Sequence, residues 1–377
     1  MAATRLQAVR RQLDYSAAEV ILMLRRRADM LGLPLMSAAS LKTKLSRWEN
    51  GHEAVSLPMY RRLFREIYGR TNDELGFPLE QEDDEADELR SRLAVARTVD
   101  AETVGIFRGQ VENARHVDRQ FGGITLLDQL RATITQIEAL LRASTTHGQR
   151  QSLAGVLAEA SALAGWEALD RAATVQAWDH HERAKIAARE ADSPILLAHA
   201  TAQQAMVLID IEETATAVDL LSHARDLAER IAPPLLRAWL AAAHGEGLAA
   251  AGHRDDALRA FDRAEALRPA DPMDAALPFV FLADVHLDRW RGAAMAQLGE
   301  PEAIDRITAS LPRLPADFVR ARTRMLVDLA FAHAAAGDRD AALTYARQAK
   351  RLAAQIKSDR QRQRLDRLIL PGTPGIP

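Results

Sequence analysis

The segment Gly245–Pro269, GEGLAAAGHRDDALRAFDRAEALRP, decides how the larger part of the chain is read. Gly245 stands on a first helical stretch, Gly252 near a turn, and Ala257, Phe261 and Ala264 recur at the four- and three-residue steps of one helical face. Ala257 and Ala264 have counterparts seven residues apart elsewhere: Ala177 with Ala184, Ala217 with Ala224, Ala303 with Ser310 and Ala342 with Ala349. Successive copies are separated by 40, 40, 46 and 39 residues. Such a period belongs to stacked helical hairpins, in which small side chains let consecutive helices approach closely.

The relative positions of Gly245, Gly252, Ala257, Phe261, Ala264 and Pro269 resemble the tetratricopeptide pattern: a glycine on the first helix, a glycine near the turn, then small–aromatic–small on the second. The last copy keeps Gly337, Ala342 and Ala349 but has Ala346 in place of the aromatic residue. The periods exceed the roughly 34 residues of the standard motif, so longer helices or loops are expected. The fourth copy, with Gly299-Glu300-Pro301-Glu302 at its turn, is one residue shorter there and follows the 46-residue interval. Apolar residues recur at three and four from Leu89 to Leu368 without an alternating β-branched segment. The expected fold is therefore all-α, a small N-terminal domain followed by an α-solenoid, with no strands.

Composition excludes several kinds of chemistry. The 377 residues include no cysteine, which rules out disulfides, a thiolate nucleophile, zinc ribbons and cysteine-ligated iron–sulfur clusters. The longest apolar run, Ala275 to Ala283, is broken by Pro278 and closed by Asp274 and Asp284, far short of the ~20 residues of a membrane span. No secretory signal fits the N-terminus, and a cytoplasmic location with no membrane partner is expected. Gly245-Glu246-Gly247 lacks the preceding strand and following Lys-Ser/Thr of a phosphate loop. His180-His181-Glu182 diverges by about 100° per residue around a helix, with no histidine or acid three or four residues beyond either histidine. There is no Gly-x-Ser-x-Gly or His-Glu-x-x-His. No enzyme activity, catalytic residue, metal or cofactor is expected.

The net charge of −3 hides an asymmetry. Residues 1–79 hold 13 basic against 8 acidic groups, a surplus of five, which leaves −8 for the remainder. A basic head on an acidic remainder suits contact of the head alone with a polyanion. Seven acids in nine residues from Glu80 to Glu88 mark a solvated boundary. The expected organisation is a head over 1–79, an acidic linker and helical connector over 80–150, a repeat body over 151–370 and a flexible tail over 371–377.

Within the head, helices are expected over Leu6–Leu13, Ala17–Met30 after Ser16 as N-cap, about Ala39–Glu49, and Pro58–Tyr68, with a short fifth from about Asn72. In the third, Leu41, Leu45 and Trp48 form one apolar face. Thr43, Ser46, Arg47 and Asn50 lie opposite, where such side chains can read base edges, and Lys42 and Lys44 flank them at positions suited to phosphates. The same arrangement also describes an ordinary solvated helix face. Arg25-Arg26-Arg27 suits either phosphate contact or a solvated helix end.

Leu45-Ser46-Arg47-Trp48-Glu49-Asn50-Gly51, with Tyr60-Arg61-Arg62-Leu63-Phe64 and Glu74-Leu75-Gly76-Phe77, resembles the Xre-type (lambda-repressor-like) helix-turn-helix regulators. Asp118-Arg119-Gln120-Phe121-Gly122-Gly123 and Ala164-Gly165-Trp166 extend the resemblance to the actinobacterial subgroup with a C-terminal tetratricopeptide-like domain. It departs at Arg25–Ala39, where the link between the second and third helices exceeds the minimal tight turn. The resemblance implies transcription regulation by homodimers on paired half-sites of double-stranded DNA, under control of a peptide or small molecule. The alternative is a protein-interaction scaffold whose head docks a protein partner.

In the consensus register the first helices of the hairpins line a concave face. Its expected inward residues include Glu159 and Trp166; His199, Gln203 and Met206; Trp239 and Glu246; His286, Arg289 and Trp290; and Arg324, Asp328 and Phe331. Aromatic residues mixed with charges suit a peptide or small amphipathic effector. Trp166, Met206 and Phe331 also suit plain packing between hairpins.

Overall fold

The computed structural model describes residues 4–77, 81–122 and 126–371, and every regular element among them is helical. The chain divides into two compact units at Ala94/Val95. Parts of the boundary and tail expectations, at Pro78, Glu80 and 372–377, lie outside the described residues, as does Gly123.

In the N-terminal unit, α1 (Arg5–Gln12), α2 (Ala17–Leu31), α3 (Ala38–Glu49), α4 (Pro58–Tyr68) and α5 (Asn72–Leu75) are followed by α6 (Gln81–Arg97), which runs across the division. Local chemistry sets the helix starts. Ser16 and Glu19 form a reciprocal capping box, as do Thr71 and Glu74, while Ser37 caps α3 and Pro58 opens α4. Gly32 ends α2 in the left-handed conformation, and the link to α3 runs from there to Ser37. Leu33, Leu35 and Met36 within that link pack on the core, so its extra length is pinned by apolar contacts.

The second unit begins with α7 (Ala101–Phe121) and α8 (Leu126–Ala143). Hairpins follow: α9 (His147–Asp170) with α10 (Thr174–Glu190), α11 (Pro194–Asp210) with α12 (Thr214–Ala228), and α13 (Pro234–Ala250) with α14 (Arg254–Leu267). After a non-helical insertion come α15 (Asp284–Gln297) with α16 (Glu302–Ser310), α17 (Val319–Ala335) with α18 (Arg339–Gln355), and finally α19 (Asp359–Asp366). No break separates 95–150 from the repeats, because α8 packs along α9 and α7 touches α9 and α17. Of the expected linker and connector, residues 95–150 are thus structurally part of the body.

Small residues set the spacing within hairpins. All ten members of the five repeat pairs, Ala177/Ala184 through Ala342/Ala349, are buried. Gly245 lies so close to Phe261 that a Cβ there would meet the ring at 2.8 Å, and a Cβ on Gly165 would meet the His181 ring at 2.6 Å. Gly292 has the same relation to Ile307, but the partner comes 15 residues later instead of 16, matching the shortened fourth copy. The turns after α9, α11 and α13 place Ala172, Glu212 and Gly252 at positive φ, 40 residues apart. Only the third carries the glycine that such a turn favours.

The body also joins its own ends: α17 packs on α7 and α19 on α9. Buried ion pairs fasten these contacts. Arg320 of α17 bonds Asp118 of α7 and reaches Glu167 at 3.1 Å and Asp170 at 2.9 Å on α9. Ser358, the α19 N-cap, donates to Asp170 at 2.7 Å.

Candidate functional site

A cavity of about 260 Å³ lies inside the body. Apart from Phe279 and Phe281 in the insertion, its walls come from α7 and from the first helices of the hairpins, with α19 completing the series. On α9, Glu159, Ala162, Leu163, Trp166 and Asp170 line it at three- and four-residue steps. His199, Gln203 and Met206 do so on α11, and Trp239, Ala243 and Glu246 on α13. This is the geometry expected when one face of every first helix turns toward the same axis.

One side of the cavity is aromatic. The His199 ring lies 5.2 Å from Trp239 and 4.5 Å from Phe279, and Trp239 lies 5.7 Å from Trp290. Burial, helped by the positive charge of Arg115, pulls the His199 pKa down to about 3, so this ring is neutral at ordinary pH.

Six guanidinium groups line the cavity, and four of them are matched by carboxylates. Arg115 sits 2.7 Å from Glu159 and 2.8 Å from Glu112. Arg324 bonds Glu246 and lies 3.8 Å from Asp328, which in turn takes Arg364 at 2.7 Å. Arg360 pairs with Asp210 at 2.6 Å and lies 5.5 Å over the Trp166 ring. Around Arg320, burial opposes the charge, but Asp118, Asp170 and Glu167 outweigh it and hold the guanidinium above its ordinary pKa. Burial raises the Glu167 carboxyl well above the usual range despite Arg320, with Asp118 and Asp170 adding repulsion.

Of the thirteen body residues expected from sequence, the structure brings ten around this cavity: Glu159, Trp166, His199, Gln203, Met206, Trp239, Glu246, Arg289, Trp290 and Arg324. His286, Asp328 and Phe331 do not line it. The His286 ring packs edge-on against Phe281 at 4.7 Å, because the insertion covers this side of α15. Asp328 is turned into its ion pairs with Arg364 and Arg324, and Phe331 lies under the Arg364 guanidinium at 5.8 Å.

Sequence reasoning missed Arg115, Asp118 and Arg119 on α7, Phe279 and Phe281 in the insertion, and Arg320, Arg360 and Gln361. Two signals pointed there. Asp118-Arg119 belongs to the motif that carried the family resemblance, and the apolar run Ala275–Ala283 falls in the long repeat interval. Leu277, Val280 and Leu282 bury that run against the body, while the two phenylalanines between them face the cavity.

In the N-terminal unit, α3 exposes Lys42, Thr43, Ser46, Arg47 and Asn50 opposite the buried Leu41, Leu45 and Trp48. This face is partly satisfied within the unit. Lys44 bonds Glu53, and Arg47 Nε lies 3.3 Å from the same carboxylate. The Asn50 amide donates to the Ser46 carbonyl at 2.7 Å. Glu49 is buried in a two-pronged pair with Arg10, at 2.6 and 2.9 Å. In the Arg25–Arg27 run, Arg27 pairs with Glu66 at 2.5 Å, while Arg25 and Arg26 are exposed. His181, from the His180-His181-Glu182 stretch, is packed against Gly165. Among the described residues, no group of His, Asp or Glu side chains could hold a metal ion, and no helix is long and apolar enough to cross a membrane.

No protein-family model and no curated protein matches this chain. Among solved structures, it is similar to a Rap protein complexed with competence and sporulation factor, at 15% identity and TM-score 0.43, covering 71% of this chain and 80% of that one. It is also similar to the P58(IPK) TPR domain, at 12% identity and TM-score 0.25, covering 93% of this chain and 100% of that one. The neighbours are helical-repeat proteins, and at these values neither likeness bears on what this chain binds.

Proposed function

We propose that the body is an interaction module whose cavity takes a peptide or small-molecule effector, and that the head brings it to double-stranded DNA as a cytoplasmic, homodimeric transcription regulator. The carrying observation is the convergence of aromatic rings and guanidinium groups from α7 through α19 on one interior cavity. A pocket that only filled space would not hold so many buried ions, since desolvating each charge costs several kcal/mol before pairing, by order of magnitude. The DNA part of the reading is supported by the basic surplus of residues 1–79 and by the exposed Lys42, Thr43, Ser46, Arg47 and Asn50 face of α3.

A second reading, in which the head docks a protein partner and the whole is a scaffold, is favoured by a specific observation. Glu53 occupies both Lys44 and Arg47, which weakens the attraction of α3 for phosphate. Titrating the full chain into fluorescent duplex DNA at a series of salt concentrations separates the two. A regulator binds duplex with affinity that falls steeply as salt rises, and Arg47→Ala reduces base discrimination at unchanged helicity. Absence of duplex binding even at low salt leaves the docking reading.

A further inference from the structure

Each guanidinium that lines the cavity from Arg115, Arg320, Arg324 and Arg360 is paired with at least one carboxylate. Of the two that remain, Arg289 and Arg119, Arg289 is the more deeply buried. It is 9% exposed, it lines the cavity from α15, and among the described residues no carboxylate or carbonyl lies within ion-pair or hydrogen-bond reach of it. Its Nε is fully buried without a hydrogen-bond partner, and its guanidinium lies over the Trp290 ring at 5.9 Å. Arg119 also lacks a carboxylate, but it is only half-buried and rests over Phe281 and Phe318 at 5.6 and 5.9 Å.

An unpaired buried cation is an expensive feature for a fold whose other buried ions are so thoroughly matched. Burial and the charge of Arg324 lower the Arg289 pKa to about 10, with Glu246 and Asp328 holding it up, so it stays protonated at neutral pH. The guanidinium carries five N–H donors in a planar fork, and among the described residues none of them has a hydrogen-bond acceptor. Beside them stand the flat apolar surfaces of Trp239, Trp290 and Phe279 and the neutral ring of His199.

We propose that the cavity binds a ligand in which a carboxylate is joined to a compact aromatic or other flat apolar body, the carboxylate resting on Arg289 and the body between Trp239, Trp290 and Phe279. This deepens the effector reading above and rests on it. A volume of about 260 Å³ suits a single aromatic acid or the last residue of a peptide, and not a folded partner or a long segment. The same chemistry comes from two sources, a free organic acid or the C-terminal carboxylate of a peptide.

Isothermal calorimetry on the full chain tests this with benzoate, indole-3-acetate and 2-naphthoate against their amides, and with a tryptophan-ended tripeptide as free acid against its C-terminal amide. At least one acid should bind at least tenfold more tightly than its amide; free acids alone or the tripeptide as well identifies the source. Arg289→Met should abolish that preference while leaving the melting temperature equal or higher, because an unpaired buried charge is removed, and Arg289→Lys should retain part of it. The acid–amide comparison in the unmodified chain stands even if a variant misfolds. Equal binding of acid and amide, an acid preference that survives Arg289→Met, or no binding by any probe at millimolar concentration overturns the proposal. Trp239→Ala distinguishes its failure from that of the cavity reading. If amides bind and lose affinity in Trp239→Ala while Arg289→Met changes nothing, the cavity is a binding site without a carboxylate requirement. If acid binding depends on Arg289 yet is indifferent to Trp239→Ala, the cavity is not where the apolar body sits, and the proposal falls with it.

Discussion

In the head, Trp48, Tyr60, Phe64 and Phe77 meet ring against ring, with Trp48 5.1 Å from Tyr60 and Phe64 6.0 Å from Phe77. In the body, the helices of each hairpin close where a small residue faces a larger one, as Gly245 meets the Phe261 ring and Gly292 the Ile307 side chain, while other aromatic and ionic side chains line the cavity. The two solutions handle charge differently. Large rings fill the head's interior, and the one buried carboxylate among its described residues, Glu49, is closed off by Arg10. Small side chains bring the body's helices close but leave an axial space, and long ionic side chains occupy it. A core of large apolar groups is made stable by area removed from water, whereas the body's interior also depends on charges being matched across distant parts of the chain.

The largest effect is expected from Leu45→Asp. It places an unpaired charge among the head's rings and should cost about 5 kcal/mol, enough to unfold that unit. Far-UV circular dichroism with thermal melting should show a head transition lost and the body's helicity retained. Arg320→Ala is the counterpart in the body. It leaves Asp118, Glu167 and Asp170 facing one another, and denaturant unfolding should record a loss of about 4 kcal/mol in the body alone.

Acid provides a third test, comparable in size. Burial lowers His181 and His199 from the ordinary 6.5 to about 3. Their stabilisation is fully present above pH 6.5 and is lost as pH falls toward the folded value. At pH 5 the loss is about 2 kcal/mol per histidine. Glu167, whose folded pKa is raised, acts in the opposite sense, favouring the fold below the ordinary carboxylate range and losing that contribution as pH rises. Melting between pH 7 and 5 should therefore destabilise the body, and His199→Gln should remove part of the drop. The N-terminal unit contains His52 as its one histidine, so its transition should move less.

Two smaller changes exploit the repeat itself. Gly245→Ala pushes a methyl group against Phe261 and should cost about 2 kcal/mol. Ala172→Gly should instead stabilise by about 0.5 kcal/mol, because it relieves a left-handed residue at φ 56° at some cost in unfolded-chain entropy. Opposite signs from these exchanges, read by denaturant unfolding, would show that crowding governs one position and backbone conformation the other.

Head helices were legible in sequence because their starts depend on neighbours in the chain: Ser16 with Glu19 and Pro58 at a first turn. The turn at Ala172 and Glu212 was not, because those positions lack the glycine by which Gly252 announces itself. The concave register predicted Trp166, His199, Trp239 and Arg324 at the cavity wall because repeat periodicity fixes which face of each first helix turns inward. It placed His286 there too, and failed because the insertion before α15, whose path no periodicity encodes, brings Phe281 against that ring.

Short-range spacings and the repeated period were enough to establish the helical repeat, its small-residue contacts, the capped head helices and which face of each first helix turns inward. The packed structure was needed to show that α17 and α19 return to α7 and α9, that the phenylalanines of the insertion wall the cavity, and which arginines of its lining are left without a carboxylate. Asp118 and Arg320 stand 202 residues apart, and Ser358 and Asp170 stand 188 apart. Pairings over such separations follow from the accumulated rotation of the stacked hairpins, and no local pattern records that sum.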